Sequence, residues 1–409
     1  MDLRSSYPVD ERSWEDRVCD GKKILEDVQG KKSPGCEWCG WMDYPSRRMA
    51  EDIEEVTSYV KTLQARDLYV LGIGGSFLGA YAALSALHGS RVHFYGNSFS
   101  ASDLEKGLAA YDPAKDHVVV ISKSGSTRET AIAFRLFLQK AVDKGVDLSH
   151  SFTAITDGKR GKLHDFADKH GICRFVVPDD MGGRYSVLSP VGLFPMAFGG
   201  IDLEPLMAGA VEAEKAVAAR PTENAAFTYA LLRDSFRREG KVAEIFATYE
   251  PHLAPLGRWW QQLFGESEGK EHRGLMPVTL TYSTDLHAMG QWVQEGPRNV
   301  FETVLYIEHT GSDLVIPAFD MDDGLHSVEG RTVEEVNRAA FMGTRAAHEA
   351  GGVPTISMVY DRFGAYELGE FLYIMEYACA ISAYLDGVNP FDQPGVEAYK
   401  KAMAERLSL

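Results

Sequence analysis

The chain has 409 residues, long enough for two domains of ordinary size. Its 45% hydrophobic and 25% charged composition is that of a globular protein with a sizeable core. A net charge of -17 excludes a general nucleic-acid binder, and no apolar run approaches a membrane span, so neither nucleic acid nor membrane is expected as a partner. The N-terminal stretch lacks a signal-peptide core, and a cytoplasmic location is expected.

In chain order, Cys36 and Cys39 form a lone CxxC ahead of any strand pattern. The five cysteines give neither a disulfide framework nor a four-ligand zinc set, and the pair reads as two ordinary thiols. Residues 51–64 place Ile53, Val56, Tyr59, Val60 and Leu63 at helical spacing. DLYVLGIGGS reads as a buried strand running into a glycine turn, with a helix over 77–87. RVHFYG is a short strand, and Ser102 with Glu105 predicts a capping box opening the next helix. HVVVIS, FTAIT and RFVVP are strands, with a helix over 127–142. The alternation predicts an α/β fold with a parallel sheet covered by helices. KVAEIFATY, GLMPVTLTY, FETVLYIEH and VPTISMVYD repeat the style with helices over 332–352 and 366–387. Two α/β lobes with a cleft between them are expected: 50–205 and 206–385, flanked by an N-terminal segment 1–49 and a C-terminal segment 386–409.

Several turns carry chemistry. GIGGS lacks the third glycine of a dinucleotide fingerprint, since Phe77 stands there, and the lysine of a P-loop is absent. What remains is bare backbone at a helix N-terminus, able to face a phosphate or simply to pack tightly. SKSGST ends a strand with Ser122, Lys123, Ser124, Ser126 and Thr127. One hydroxyl suffices to cap the following helix, so the surplus favours phosphate binding over capping alone. In a parallel sheet both turns lie at the carboxyl edge, where ligands bind. Arg184 follows paired glycines, fit to stabilise developing negative charge or to form a surface ion pair. Taken alone, QQLFGESEGKEH reads as a solvated charged turn. HExxH is absent, and no histidine pair has zinc-like spacing.

GIGGS, SKSGST, GGRYSVLS, GESEGK, DLHAMGQ and FDQPGVEAYK occur in this order. Together they resemble glucose-6-phosphate isomerase, the two-lobed sugar isomerase family, in its compact bacterial form, over roughly residues 50–401. The resemblance implies an aldose-ketose isomerase that needs neither cofactor nor metal. It implies Glu266 as the base, with Gln262 beside the substrate and Arg184 stabilising the intermediate. His287 and Lys400 are implied in ring opening, with Gln393 nearby. The phosphate pocket maps to Gly75, Ser76, Ser122, Lys123, Ser124 and Thr127. A homodimer is implied, with His287 reaching in from the neighbouring subunit.

Two departures carry expectations. SKSGST replaces the animal family's SKTFTT, which bears on sugar selectivity; an isomerase of broader range that also accepts mannose 6-phosphate would have the same phosphate loop and stays open as an alternative. ESEGK replaces the commoner ESNGK, and Glu268 is expected to raise the Glu266 pKa if the two side chains approach. A sugar-phosphate-binding regulator without turnover would lack the base or the ring-opening groups, and this chain has them all.

Overall fold

The computed structural model describes residues 1–5, 11–30 and 32–407. Its strands, in chain order, are β1 (Asp2–Ser5), β2 (Leu68–Leu71), β3 (Val92–Tyr95), β4 (His117–Ile121), β5 (Phe152–Thr156), β6 (Cys173–Val176), β7 (Ala243–Thr248), β8 (Met276–Thr281), β9 (Val300–Ile307) and β10 (Thr355–Tyr360). They form two five-stranded sheets.

The first sheet has the order β3-β2-β4-β5-β6 and is parallel throughout. β2, β4 and β5 are buried along their whole length. The LYVL of β2 and the VVVI of β4 are the near-continuous apolar runs that a strand covered on both faces requires, while β5, FTAIT, buries two threonines that are hydrogen-bonded. The chain leaves β2 toward β3 on one side and returns to β4 on the other. That reversal opens a crevice at the carboxyl ends of β2 and β4, the place where open parallel sheets bind ligands.

The second sheet has the order β1-β10-β9-β7-β8. β7 to β10 are parallel, while β1 pairs antiparallel with β10, Asp2 opposite Val359. The N-terminal segment thus contributes an edge strand to the sheet farthest from it in sequence.

The largest core lies behind the second sheet and between the lobes. Trp259 and Trp260 of the helix Ala254–Glu268 are buried there, with Trp41 stacked on Tyr185 at 4.9 Å between ring centroids. The helices Leu203–Ala219 and Ala365–Leu385 cross at a pair of glycines. A Cβ on Gly209 would stand 1.9 Å from the Tyr366 carbonyl oxygen, and one on Gly369 1.9 Å from that of Leu206. Only glycine permits this backbone approach.

Two local readings change. The helix Ala101–Ala110 is capped by Ser100, whose Oγ accepts from the Asp103 N–H, so the cap lies two residues before Ser102. QQLFGESE is no turn: it is the second half of the helix Ala254–Glu268. No described helix is long and apolar enough to cross a membrane.

Candidate active site

The turn after β2 packs against GGRYS. Gly75 carries no side chain because the Gly183 carbonyl oxygen occupies its place: a Cβ there would lie 1.9 Å away. The contact fixes Arg184 relative to the β2 edge, although the two turns are over a hundred residues apart.

The turn after β4 is shaped by its own hydroxyls. Ser122 Oγ accepts from the Gly125 N–H at 3.1 Å, and Ser124 Oγ accepts from the Ser126 N–H at 3.2 Å and from Ser126 Oγ at 2.9 Å. The helix Arg128–Lys144 then starts with Thr127 at its N-cap and no side-chain capping bond. Its first-turn N–H groups therefore stay available, and Arg128, Glu129 and Thr130 line the cavity in front. An uncapped helix start facing a cavity offers N–H groups of the kind that suit an anion.

Lys123 departs from the expected picture of an ammonium aimed at the anion. Its Nζ donates to the carbonyls of Pro178, Asp179 and Met181 at 2.9, 3.1 and 3.3 Å, over the Trp38 ring. Burial lowers its pKa, against the pull of nearby aspartates. The side chain clamps the loop to the segment leading into GGRYS, and its positive charge stays beside the cavity.

Across the cavity stands Glu266. Gln262, one turn earlier on the same face, donates from Nε2 to Glu266 Oε1 at 3.0 Å. Arg184 Nη1 donates to Glu266 Oε2 at 3.2 Å. Arg184 is only 5% exposed, so the alternative of a surface ion pair falls away. Its other donors reach Ser267 Oγ at 2.8 Å, Gln393 Oε1 at 2.9 Å, the Asp392 carbonyl at 3.0 Å and the Pro390 carbonyl. One guanidinium with five donors thus ties the Glu266 helix to the C-terminal segment. The Glu266 side chain remains 36% exposed to the cavity, held at both oxygens yet reachable.

Glu268 does not approach Glu266 as the sequence allowed. Two residues further along the helix, it faces the interior, buried at 2% exposure. Arg233 donates to its Oε1 from Nη1 and to its Oε2 from Nη2, the latter at 3.0 Å. Arg233 also binds Glu244 Oε2 at 2.6 Å and Ser382 Oγ at 2.7 Å, and lies 4.0 Å above the Phe264 ring. Glu268 is therefore an anchor of the helix. Lys270 is likewise structural, bonded to the Asn389 carbonyl and paired with Asp392 at 3.0 Å, its pKa lowered chiefly by burial.

The helix Pro394–Leu407 lies over the cavity mouth. Lys400 reaches the cavity with its Nζ 2.8 Å from Glu397 Oε1, and its carbonyl accepts from Arg128 at 3.4 Å.

The cavity, about 960 Å³, is lined by Gly75, Ser76, Ser122, Lys123, Ser124, Thr127, Arg184, Gln262, Glu266, Gln393 and Lys400, eleven of the twelve residues singled out from sequence. The twelfth, His287, does not line it. It sits on the exposed turn Thr284–His287 after β8. Asp285 on the same turn accepts from the Thr281 N–H at 2.6 Å. Beneath it the Tyr282 hydroxyl binds Glu302, whose other oxygen meets His348 Nδ1 at 2.6 Å. The reading from sequence missed Glu129, Asp157 and Arg160, which also line the cavity. Glu129 was within reach, being two residues past the hydroxyl run. Asp157 and Arg160 follow β5, whose carboxyl end faces the same crevice.

Residues 46–321 match the family model described as phosphoglucose isomerase. The chain is 42% identical over 393 residues to a glucose-6-phosphate isomerase from Alkaliphilus metalliredigens, covering 91% of this chain and 87% of that protein. It is 43% identical over 393 residues to one from Shouchella clausii, with the same coverage. Among solved structures, a hypothetical protein from Thermus thermophilus superposes with a TM-score of 0.90 at 30% identity over the whole of both chains. A glucose-6-phosphate isomerase from Chlamydia trachomatis shares the fold at a TM-score of 0.83 and 21% identity, over 99% of this chain and 88% of that one. With matches of this extent, and with the cavity assembled from the segments that prompted the resemblance, the chain belongs to the phosphoglucose isomerase family.

Proposed function

We propose that this chain is an aldose-ketose isomerase that interconverts glucose 6-phosphate and fructose 6-phosphate through a cis-enediol, serving glycolysis and gluconeogenesis in the cytoplasm. The observation that carries the reading is the placement of Glu266. Its carboxylate is held by Gln262 and Arg184 on one wall of a cavity whose other wall is an uncapped helix start behind SKSGST.

The phosphate binds the loop Ser122–Thr127 and the Gly75–Ser76 turn. Hydroxyls and backbone N–H groups serve it directly, and Lys123 acts by holding the loop. This remote grip aligns the sugar so that its first two carbons face Glu266. Glu266 takes the proton from C2 of the open-chain aldose and returns it to C1, while a proton passes from the C2 oxygen to the C1 oxygen. Positioned general acid–base catalysis of this kind supplies roughly 100- to 10,000-fold. Arg184 stabilises the negative charge that develops on the enediol oxygens. Lys400, its side chain 47% exposed, assists ring opening.

His287 completes the ring-opening pair from a second copy of the chain. Two features support this. The histidine is exposed and outside its own cavity. The segment 310–327 projects as an exposed arm closed by the Val315–Thr332 bridge, with Leu314 at 64% and Phe319 at 68% exposure beside Val315, Met321 and Leu325. So much apolar surface in one arm marks an interface. The lobes divide near residue 205, and the cavity lies between 50–205, 206–385 and the segment after 386.

The test is a coupled assay of fructose 6-phosphate conversion, with a chelator present, on the parent and Glu266→Gln. Turnover by the parent that falls at least about 1,000-fold in the variant supports the assignment. Turnover that survives the substitution removes Glu266 from the role of base.

A further inference from the structure

A second cavity, about 470 Å³, lies between the helices Arg128–Lys144 and Lys162–His170. That volume is in the range of small-molecule sites. Its floor is apolar: Val120, Phe134, Leu138, Leu163 and Phe166, with the Phe134 and Phe166 rings edge to face at 5.3 Å. Ile132 at its rim is 43% exposed.

Three cations surround this floor: Arg128, Arg135 and Lys162. Among the described residues none of them has a carboxylate within ion-pair distance, and Arg128 reaches only the Lys400 carbonyl, at 3.4 Å. The chain carries 59 acidic side chains against 42 basic ones. Three adjacent cations left without a carboxylate are therefore unexpected, and here they ring an open apolar cleft. A ligand matching this arrangement has a flat or branched apolar body and an acidic group at its edge.

The cleft also touches the phosphate loop. Ser122, Ser126 and Arg128 line both cavities. Gly125, at φ 66°, lies so close to the second helix that a Cβ would stand 2.3 Å from the Leu163 nitrogen. The Lys162 N–H donates to the Ser124 carbonyl at 3.3 Å. The loop therefore rests by its backbone on the helix that walls the cleft.

We infer that this cleft is a second ligand site, for an amphipathic organic anion, whose occupancy is coupled to the phosphate loop. The coupling rests on the reading of that loop as the substrate phosphate site.

The probe is 8-anilinonaphthalene-1-sulfonate, an apolar aromatic anion that fluoresces when bound, titrated into the full chain. One-to-one binding is expected. Arg135→Glu, at an exposed position, weakens it about tenfold, the effect of reversing one partly solvated charge. Ala131→Trp, which fills the cleft, abolishes it. Neither residue lines the substrate cavity, and Arg135→Glu, which leaves the cleft unfilled, keeps the parent KM within about twofold. Saturating fructose 6-phosphate shifts the probe's Kd in the parent by at least about fivefold. The inference is overturned if the probe binds parent and both variants alike, if fructose 6-phosphate displaces it unchanged by Ala131→Trp, or if substrate leaves its Kd unmoved. Ser124→Ala tests the phosphate reading separately: a KM that does not rise sinks that reading, whatever the probe shows.

Discussion

Glu268→Gln separates two accounts of the residue beside the base. If Glu268 acted on Glu266, the substitution would change catalysis. The structure makes it a change in stability. Both Glu268 oxygens accept from Arg233, which is wholly buried. The amide keeps one acceptor and turns an NH2 toward the guanidinium, so one charge-assisted bond is lost and a donor faces donors. Orphaning a buried charge costs about 3–5 kcal/mol. Arg233 is not orphaned, since Glu244 still binds its Nε at 2.6 Å. Removing one negative charge also leaves a neutral buried pair where two carboxylates faced one guanidinium. The expected loss is therefore about 2 kcal/mol, below the orphaned-charge range. Urea unfolding at pH 7 measures it, alongside kcat/KM over pH. The expected result is a lower urea midpoint with a pH–rate profile of unchanged shape. A midpoint equal to the parent's together with a displaced profile refutes the reasoning.

The remaining predictions concern titration and assembly. His117 is buried beside Thr153, with Nε2 and Oγ1 2.8 Å apart, and burial lowers its pKa from 6.5 to about 4. The unfolded chain thus binds this proton first as pH falls, so the contribution is complete above pH 6.5 and is lost by about 4. It amounts to about 3 kcal/mol, and a His117→Gln variant whose stability falls as steeply as the parent's from pH 7 to 4.5 contradicts it. If His287 serves the neighbouring copy, mixing inactive His287→Ala with inactive Glu266→Gln and allowing subunits to exchange restores about a quarter of parent activity. Half the dimers are then mixed, and each has one intact site. No recovery in confirmed mixed dimers places His287 and Glu266 in the same chain's site.

What the sequence made legible follows from the range of the forces involved. β2 and β4 announce themselves because strands buried on both faces are largely apolar. Their turns stand out because glycines and clustered hydroxyls have few other uses. The helix Ala254–Glu268 was hidden by Pro255, two glycines and its charged end. What makes that end helical and buried is Arg233, 35 residues from Glu268. The partners of the Lys123 ammonium were hidden for the same reason, since the carbonyls that hold it are contributed by residues 178–181. β1 was illegible in principle: four largely exposed residues gain their strand from β10, over 350 positions away. Eleven of the twelve residues that the family resemblance singled out line one cavity, and His287 lies outside it on an exposed turn.

If Glu266 is the base, a carboxylate carries a proton between two carbons. Isomerisation of glucose 6-phosphate in deuterium oxide tests it most directly, with the product examined by proton NMR. Glu266 is partly exposed, so the proton it holds exchanges with solvent during the life of the enediol. With Glu266 as the base, deuterium is expected at C1 of the fructose 6-phosphate made by the parent. Full turnover with no deuterium at C1 at any pH or temperature tested would contradict proton transfer through a solvent-reachable carboxylate.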